Sequence, residues 1–315
     1  MTILLIIIGL VLLAVGGDVL VRGAVGISTR LGVSPLLAGL TIVGFGTSTP
    51  ELVTSLFAAF DGAPGIAVGN IVGSNIANIL LILGVSALIL PLAIDPTAFR
   101  RDGLALVAAT FACLAAVLLG VLSRPIGFAL LALLIGYIVW AYLSERRRPD
   151  AEAAMHEHVT ADVTSPGMSL IAALGLAVAG IIGTIIGARL LVDGAIEIAR
   201  DFGVAETVIG LTVVAVGTSL PELVACVIAA LRRHPDVVLG NIIGSNIYNV
   251  LGILGITAIV HPIAIPPEIA AFDIWVLLGT TALLGLFLRT GWTLKRWEGG
   301  VFLMLYTGYV GYLTV

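Results

Sequence analysis

One block of this sequence occurs twice at a fixed distance. Gly46-Thr47-Ser48-Thr49-Pro50-Glu51 is followed by Gly69-Asn70-Ile71-Val72-Gly73-Ser74-Asn75-Ile76-Ala77-Asn78. Later, Gly217-Thr218-Ser219-Leu220-Pro221-Glu222 is followed by Gly240-Asn241-Ile242-Ile243-Gly244-Ser245-Asn246-Ile247-Tyr248-Asn249. Glu51 and Glu222, Ser74 and Ser245, and Asn78 and Asn249 are all separated by one and the same offset. Between Gly39–Gly84 and Gly210–Gly255 the match has no gap, and 26 of 46 positions are identical. Upstream, Leu20-Val21 and Gly23-Ala24 answer Leu191-Val192 and Gly194-Ala195. A repeat of this kind is settled before any other question of fold.

The repeat is embedded in apolar sequence. Hydrophobic residues make up 59% of the 315, charged residues 11%, and the mean hydropathy is +1.17. Soluble domains carry about 25% charge, and apolar runs of about 18 or more residues are read as membrane-spanning helices. Continuous runs such as Leu104–Leu119 exclude the alternating pattern of a membrane β-barrel. At about 20 residues per span, the chain accommodates roughly ten. The fold class is therefore all-α integral membrane. Helices are predicted over 2–27, 35–60, 66–91, 103–122, 125–144, 168–199, 206–231, 237–263, 272–289 and 298–314. Residues 145–166 are polar and form a linker, which divides the chain into five-helix units 1–144 and 167–315.

Smaller features are absorbed by this reading. The apolar N-terminus lacks a positive leader and reads as a first span. Cys113 and Cys226 lie in apolar segments and read as small buried hydrophobes; His156 and His158 read as solvated linker residues. No basic run with interleaved aromatics suggests nucleic acid. The expected partners are the lipid bilayer and small ions, with no cofactor.

Five helices per unit return the chain to the membrane from the opposite side, so the two units are inverted repeats. Many secondary transporters place their site at the interface of such repeats. Arg30, Arg100, Arg101, Arg146, Arg147, Arg148, Arg232, Arg233, Arg289, Lys295 and Arg296 fall on one side, and Arg124 and Arg200 on the other. The positive-inside rule makes the first side cytoplasmic. Both termini are then outside, the linker is cytoplasmic, and the cell's inner (plasma) membrane is the expected location. Trp140, Trp292 and Trp297 fall near helix ends, as interfacial anchors do.

Glu51 and Glu222 lie well inside predicted spans, where an ionisable group is costly and marks an ion path by default. Thr47 and Ser48, and Thr218 and Ser219, precede their glutamates by four and three positions and share their face. Pro50 and Pro221 supply no N–H, which releases carbonyls near Gly46 and Gly217. Ser74 with Asn78, and Ser245 with Asn249, share a face at i, i+4. The resulting inventory is carboxylates, hydroxyls, amides and carbonyls. Such a set suits hard cations, and its two carboxylates neutralise one divalent ion or accommodate several monovalent ones.

The paired G-T-S-x-P-E and G-N-I-x-G-S-N-I-x-N motifs resemble the α-repeats of the calcium/cation antiporter superfamily, in its prokaryotic sodium/calcium exchanger branch. The resemblance covers essentially the whole chain. It implies ten helices, a calcium site centred on Glu51 and Glu222, and calcium exchanged for about three sodium ions. It also implies that the carbonyls of Thr47 and Thr218 complete the calcium site. Sodium sites would use Ser48, Ser74, Ser219, Ser245 and the carbonyls of Gly44 and Ala215, with Asn78 and Asn249 lining the middle. A potassium-dependent branch carries aspartate where this chain has Asn249, and a proton-coupled branch carries a glutamate that neither motif has here. Sodium is accordingly the expected coupling ion, with a proton/calcium antiporter as the alternative. A cation channel fits an inverted repeat around a coordinated site poorly, and an intramembrane enzyme would lack a nucleophile.

Asp18 and Arg22 form an i, i+4 pair, and Arg189 and Asp193 are its charge-reversed counterpart at the offset of the repeat. Each reads either as a local ion pair or as a coupling between the first and sixth helices, which the resemblance implies slide as a gate.

Overall fold

The computed structural model describes residues 2–146, 168–201 and 215–313. The expected linker from residue 147 onward, with His156 and His158, lies outside the described residues, as do 206–214 of the seventh expected helix. The described residues are helical almost throughout. The helices are α1 (Thr2–Leu31), α2 (Pro35–Thr47), α3 (Thr49–Phe60), α4 (Pro64–Ile89), α5 (Pro96–Leu118) and α6 (Arg124–Arg146). They continue with α7 (Leu170–Asp201), α8 (Ala215–Thr218), α9 (Leu220–Leu231), α10 (Pro235–Val260), α11 (Ile269–Arg289) and α12 (Arg296–Leu313). Among the described residues seven helices are long and apolar enough to cross a membrane, and the bent pair α2–α3 counts as an eighth. α9 is shorter, at 12 residues, and α12 has 18 with Arg296 and Glu298 in its first turn.

Proline and small polar residues set the helix starts. Ser34 caps α2, its Oγ accepting from the Leu37 N–H at 3.1 Å, with Pro35 in the first turn. Asp95 caps α5 in the same way, accepting from Thr97 N–H at 2.9 Å ahead of Pro96. Pro is tolerated there because first-turn N–H groups have no helical partner. This moves α5 to start at Pro96, not at the predicted 103. The helix expected over 35–60 is not continuous. It bends by 41° at Ser48, whose backbone (φ −80°, ψ 10°) leaves the helical range just before Pro50. Ser219 takes nearly the same conformation (φ −90°, ψ 6°) before Pro221.

Two short ribbons fall outside the all-helical expectation. β1 (Leu92–Ala93) pairs antiparallel with β4 (Thr293–Leu294), and β2 (Val121–Leu122) with β3 (Ile263–Ala264). Each ribbon joins one strand from each half. Strands this short, at helix ends, leave no periodicity for sequence to report.

Packing follows the same exchange. α1 and α7 run antiparallel, glycine against glycine. An added Cβ at Gly9 would lie 2.8 Å from the Gly187 carbonyl, and one at Gly187 2.8 Å from the Gly9 carbonyl. One at Gly16 would lie 2.8 Å from Thr184 N and 3.1 Å from the Gly180 carbonyl. Gly9, Gly16 and Gly23 recur at every seventh position on α1, and Gly180, Gly187 and Gly194 do so on α7. That spacing is close to two helical turns, so each set forms one smooth face, along which backbones approach closely. α4 and α10 are the most buried helices and occupy the centre. Each contains a π-helical turn, Asn78–Ile82 and Tyr248–Ile253, and such turns cluster at functional sites.

A further pair of contacts stands at corresponding positions. Tyr137 on α6 donates to Asp102 on α5 (3.0 Å), and Tyr309 on α12 donates to Asp273 on α11 (2.8 Å). Asp102 is also bound through both oxygens by Arg101, at 2.6 and 2.9 Å. These bonds fasten the outer helices of each half.

Candidate ion-binding site

α3 and α9 bring Glu51 and Glu222 to the middle of the molecule, both fully buried. Their serines cross over. Ser48 Oγ donates to Glu222 Oε1 at 2.8 Å, and Ser219 Oγ donates to Glu51 Oε1 at 3.3 Å. Each repeat thus holds the other's carboxylate. Ser219 Oγ also reaches Ser74 Oγ at 3.5 Å. Ser245 Oγ donates to the Gly44 carbonyl at 3.1 Å, and Thr47 Oγ1 to the Val43 carbonyl at 2.9 Å. Thr218 and Ala215 lie in α8, shortly before Glu222. The structure therefore brings these predicted site residues onto bonded, buried positions or the turns beside them. Asn78 and Asn249 complete the set from the π-turns of α4 and α10.

The asparagines form a second crossed set. Asn78 Nδ2 donates to Asn246 Oδ1, and Asn249 Nδ2 to Asn75 Oδ1, both at 2.9 Å. Asn75 Nδ2 donates to the Asn246 carbonyl (3.2 Å) and Asn246 Nδ2 to the Asn75 carbonyl (3.4 Å). Behind the glutamates, Asn70 Nδ2 donates to the Glu51 carbonyl at 3.1 Å and to Ser55 Oγ at 3.0 Å. Asn241 Nδ2 does the same for the Glu222 carbonyl (3.4 Å) and Cys226 Sγ (3.1 Å). Cys226 is therefore more than a buried hydrophobe: it occupies the position of Ser55 and accepts a bond. Sequence reasoning assigns no role to Asn70, Asn75, Asn241 or Asn246, although all four lie inside the duplicated motif.

Four buried oxygens at this centre have no hydrogen-bond partner among the described residues: Glu51 Oε2, Glu222 Oε2, Asn78 Oδ1 and Asn249 Oδ1. They form two pairs related by the repeat. No described Lys or Arg pairs with either glutamate. Buried carboxylates without a cationic partner are strongly disfavoured, so this donor set suits a cation. Hydroxyls that donate to a carboxylate retain lone pairs to offer an ion.

The pairs at the periphery resolve differently. Asp18 bonds Arg22 locally at 2.9 Å, and also pairs with Arg232 at the end of α9. Its partner across helices is thus at α9, and not on α7 as a direct coupling of the first and sixth helices would require. Arg189 and Asp193 are exposed on α7.

The sequence matches the family described as sodium/calcium exchanger protein over residues 1–143 and 172–315. The chain belongs to the sodium/calcium exchanger family. It is 34% identical over 347 aligned positions to the sodium/calcium exchanger MaX1 of Methanosarcina acetivorans, covering 98% of this chain and 97% of the relative. It is 33% identical to the inner membrane protein YrbG of Escherichia coli K12, covering 99% and 95%. Its fold is similar to that of the sodium-calcium exchanger NCX_Mj soaked with Na+ and Sr2+, with a TM-score of 0.85, 34% identity and coverage of 98% and 97%. The protein is an antiporter of the sodium/calcium exchanger type, not an enzyme. The family transports Na+ and Ca2+.

Proposed function

We propose that this exchanger moves calcium against sodium through one central site shared by its two halves. The observation that carries the reading is the set of four buried, unpartnered oxygens on Glu51, Glu222, Asn78 and Asn249. In the calcium-loaded site, the two carboxylates supply the charge that neutralises Ca2+, and the carbonyls of Thr47 and Thr218 add neutral oxygens. In the sodium-loaded site, Ser48, Ser74, Ser219, Ser245 and the carbonyls of Gly44 and Ala215 complete the shells of smaller charges. One donor set then serves both cargoes in turn, which makes exchange obligatory.

The chain forms ten spans in two inverted five-helix repeats, 1–144 and 167–315. The antiparallel α1–α7 contact and the crossed hydrogen bonds support this, because a two-fold axis in the membrane plane exchanges the residues that the repeat relates. The Lys/Arg bias supports cytoplasmic placement of the 145–166 linker, with both termini outside and the inner membrane as location. Access alternates as α1 and α7 slide together over the fixed centre. Their interlocked glycine faces support this, since backbones in such close contact move as one body.

The test is uptake of radioactive calcium into vesicles preloaded with sodium. Calcium accumulation above its equilibrium level, abolished when sodium is equal on both sides, is the expected result. Uphill uptake driven by a pH gradient without sodium would replace sodium with protons as the coupling ion, and purely downhill flux would make the protein a channel.

A further inference from the structure

α5 and α11 are antiparallel counterparts in the two halves, and they touch where Thr110 Oγ1 and Thr281 Oγ1 lie 3.4 Å apart. From there toward the start of α5 and the end of α11 runs an open groove of about 500 Å³. Its walls are apolar, including Leu104, Val107 and Leu284, and at Gly285 an added Cβ would meet nothing within 4 Å. Two arginines, Arg100 from α5 and Arg289 from α11, stand at its mouth, and among the described residues no acidic one lines it.

The mouth is built rather than frayed. The Arg100 guanidinium lies 5.8 Å from the centre of the Trp292 ring. Trp292 has φ 55°, a conformation rare for a large side chain, and is pinned there. Its N–H donates to the Leu288 carbonyl at 3.0 Å, and its carbonyl accepts from Ile94 N–H at 2.9 Å. The neighbouring acid, Asp102, is buried and already held by Arg101.

The repeat supplies an internal control. At the opposite end of the same helix pair, the repeat answers Arg100 with Ala271 and Arg289 with Leu118, and the place of Trp292 is taken by Gly120, whose carbonyl accepts from Ile265 N–H as that of Trp292 does from Ile94 N–H. One end of the groove is basic, and the equivalent end has no charged residue at these positions. Nothing in the exchange site requires this asymmetry.

We infer that the groove between α5 and α11 binds an acidic phospholipid, its phosphate bridging Arg100 and Arg289 and one acyl chain lying against Leu104, Val107 and Leu284. Basic pockets between membrane helices recognise anionic headgroups by this chemistry. The inference rests on the membrane-exchanger reading for placing the groove's mouth at a headgroup layer, on the cytoplasmic side. Its readout is lipid retention, independent of transport, so the two readings fail separately.

The test is native mass spectrometry of the full chain, purified in detergent and offered equal amounts of phosphatidylglycerol and phosphatidylcholine with identical acyl chains. Preferential retention of phosphatidylglycerol is expected. Arg100→Ala with Arg289→Ala should lower it by about thirtyfold, the scale of two interfacial charges. Arg100→Gln with Arg289→Gln serves if the alanine pair does not fold. Gly285→Phe, which fills the groove and leaves both charges, should lower it as well. Arg30→Ala, which removes a charge elsewhere on the same side, should leave it unchanged. Undiminished retention in the double variant would overturn the inference. So would undiminished retention in Gly285→Phe, which would reduce the effect to surface charge, or displacement of the lipid by inorganic phosphate alone.

Discussion

α4 and α10 bury 78% and 83% of their apolar stretches, whereas α1 and α7 each bury 28%. Both pairs are related by the same repeat, so one duplication has produced two unlike interfaces. At the centre, asparagines exchange side-chain bonds between the halves, and every exchanged bond fixes a distance. At the periphery, glycine faces glycine, and among the described residues no side-chain hydrogen bond joins α1 to α7. A bonded interface has one register. The glycine interface is fixed in register too, by backbone contact, so α1 and α7 form one body. In the cycle proposed above, the centre holds the ion and the α1–α7 body moves to expose it.

The largest expected effect tests the centre. Glu51→Gln and Glu222→Gln, made singly, should each abolish sodium-driven calcium uptake. Neither should lower the unfolding temperature in detergent, because each removes a buried charge that has no cationic partner. Activity surviving in one of the two would break the symmetry on which the comparison rests.

Next is the asparagine lock. Asn75→Ala and Asn246→Ala should each destabilise the protein by about 1–3 kcal/mol, since each leaves buried partners unsatisfied. The double variant should lose less than the sum, because the two residues bond to each other. Additive losses in thermal unfolding would show that the crossed bonds are not one unit.

The periphery should respond through rate. Gly16→Ala places a methyl against the backbone of α7, and overpacking of this kind costs about 1–3 kcal/mol. Uptake should slow severalfold while equilibrium calcium binding is retained. Loss of binding with preserved rate would reverse the roles given to the two regions. The smallest effect is expected at Gly175 on the same α7, where an added Cβ meets nothing within 4 Å. Gly175→Ala should leave uptake unchanged and stabilise the helix by up to about 1 kcal/mol.

Much of the centre is legible in the sequence because polar residues inside apolar spans have few reasons to be there. Glu51, Ser48, Ser74, Asn78 and their counterparts all follow from that logic. The second layer does not, although Asn70, Asn75, Asn241 and Asn246 sit in the same motif. An asparagine that binds a neighbouring carbonyl and one that leaves its Oδ1 unpartnered look alike in one dimension. Their separation appears only when α4 and α10 are brought together. The regular spacing of Gly9, Gly16 and Gly23, repeated at Gly180, Gly187 and Gly194, is present in the sequence as a signal for the close contact of α1 with α7. It is easily passed over because glycine in a membrane helix is common. The bend at Ser48 is foreshadowed by Pro50, but a proline fixes where a helix is weakened and not by how much it turns. The partner of Asp18 is out of reach altogether, since Arg232 lies in the other half of the sequence and the repeat does not relate the two.

The central claim is that Glu51 and Glu222 form one site and not two. Equilibrium binding of radioactive calcium to the purified protein, at saturation and without sodium, tests it most directly. The account predicts one calcium per chain, lost completely in Glu51→Gln and lost completely in Glu222→Gln. Two calcium ions per chain, or half of the bound calcium surviving in either variant, would contradict it.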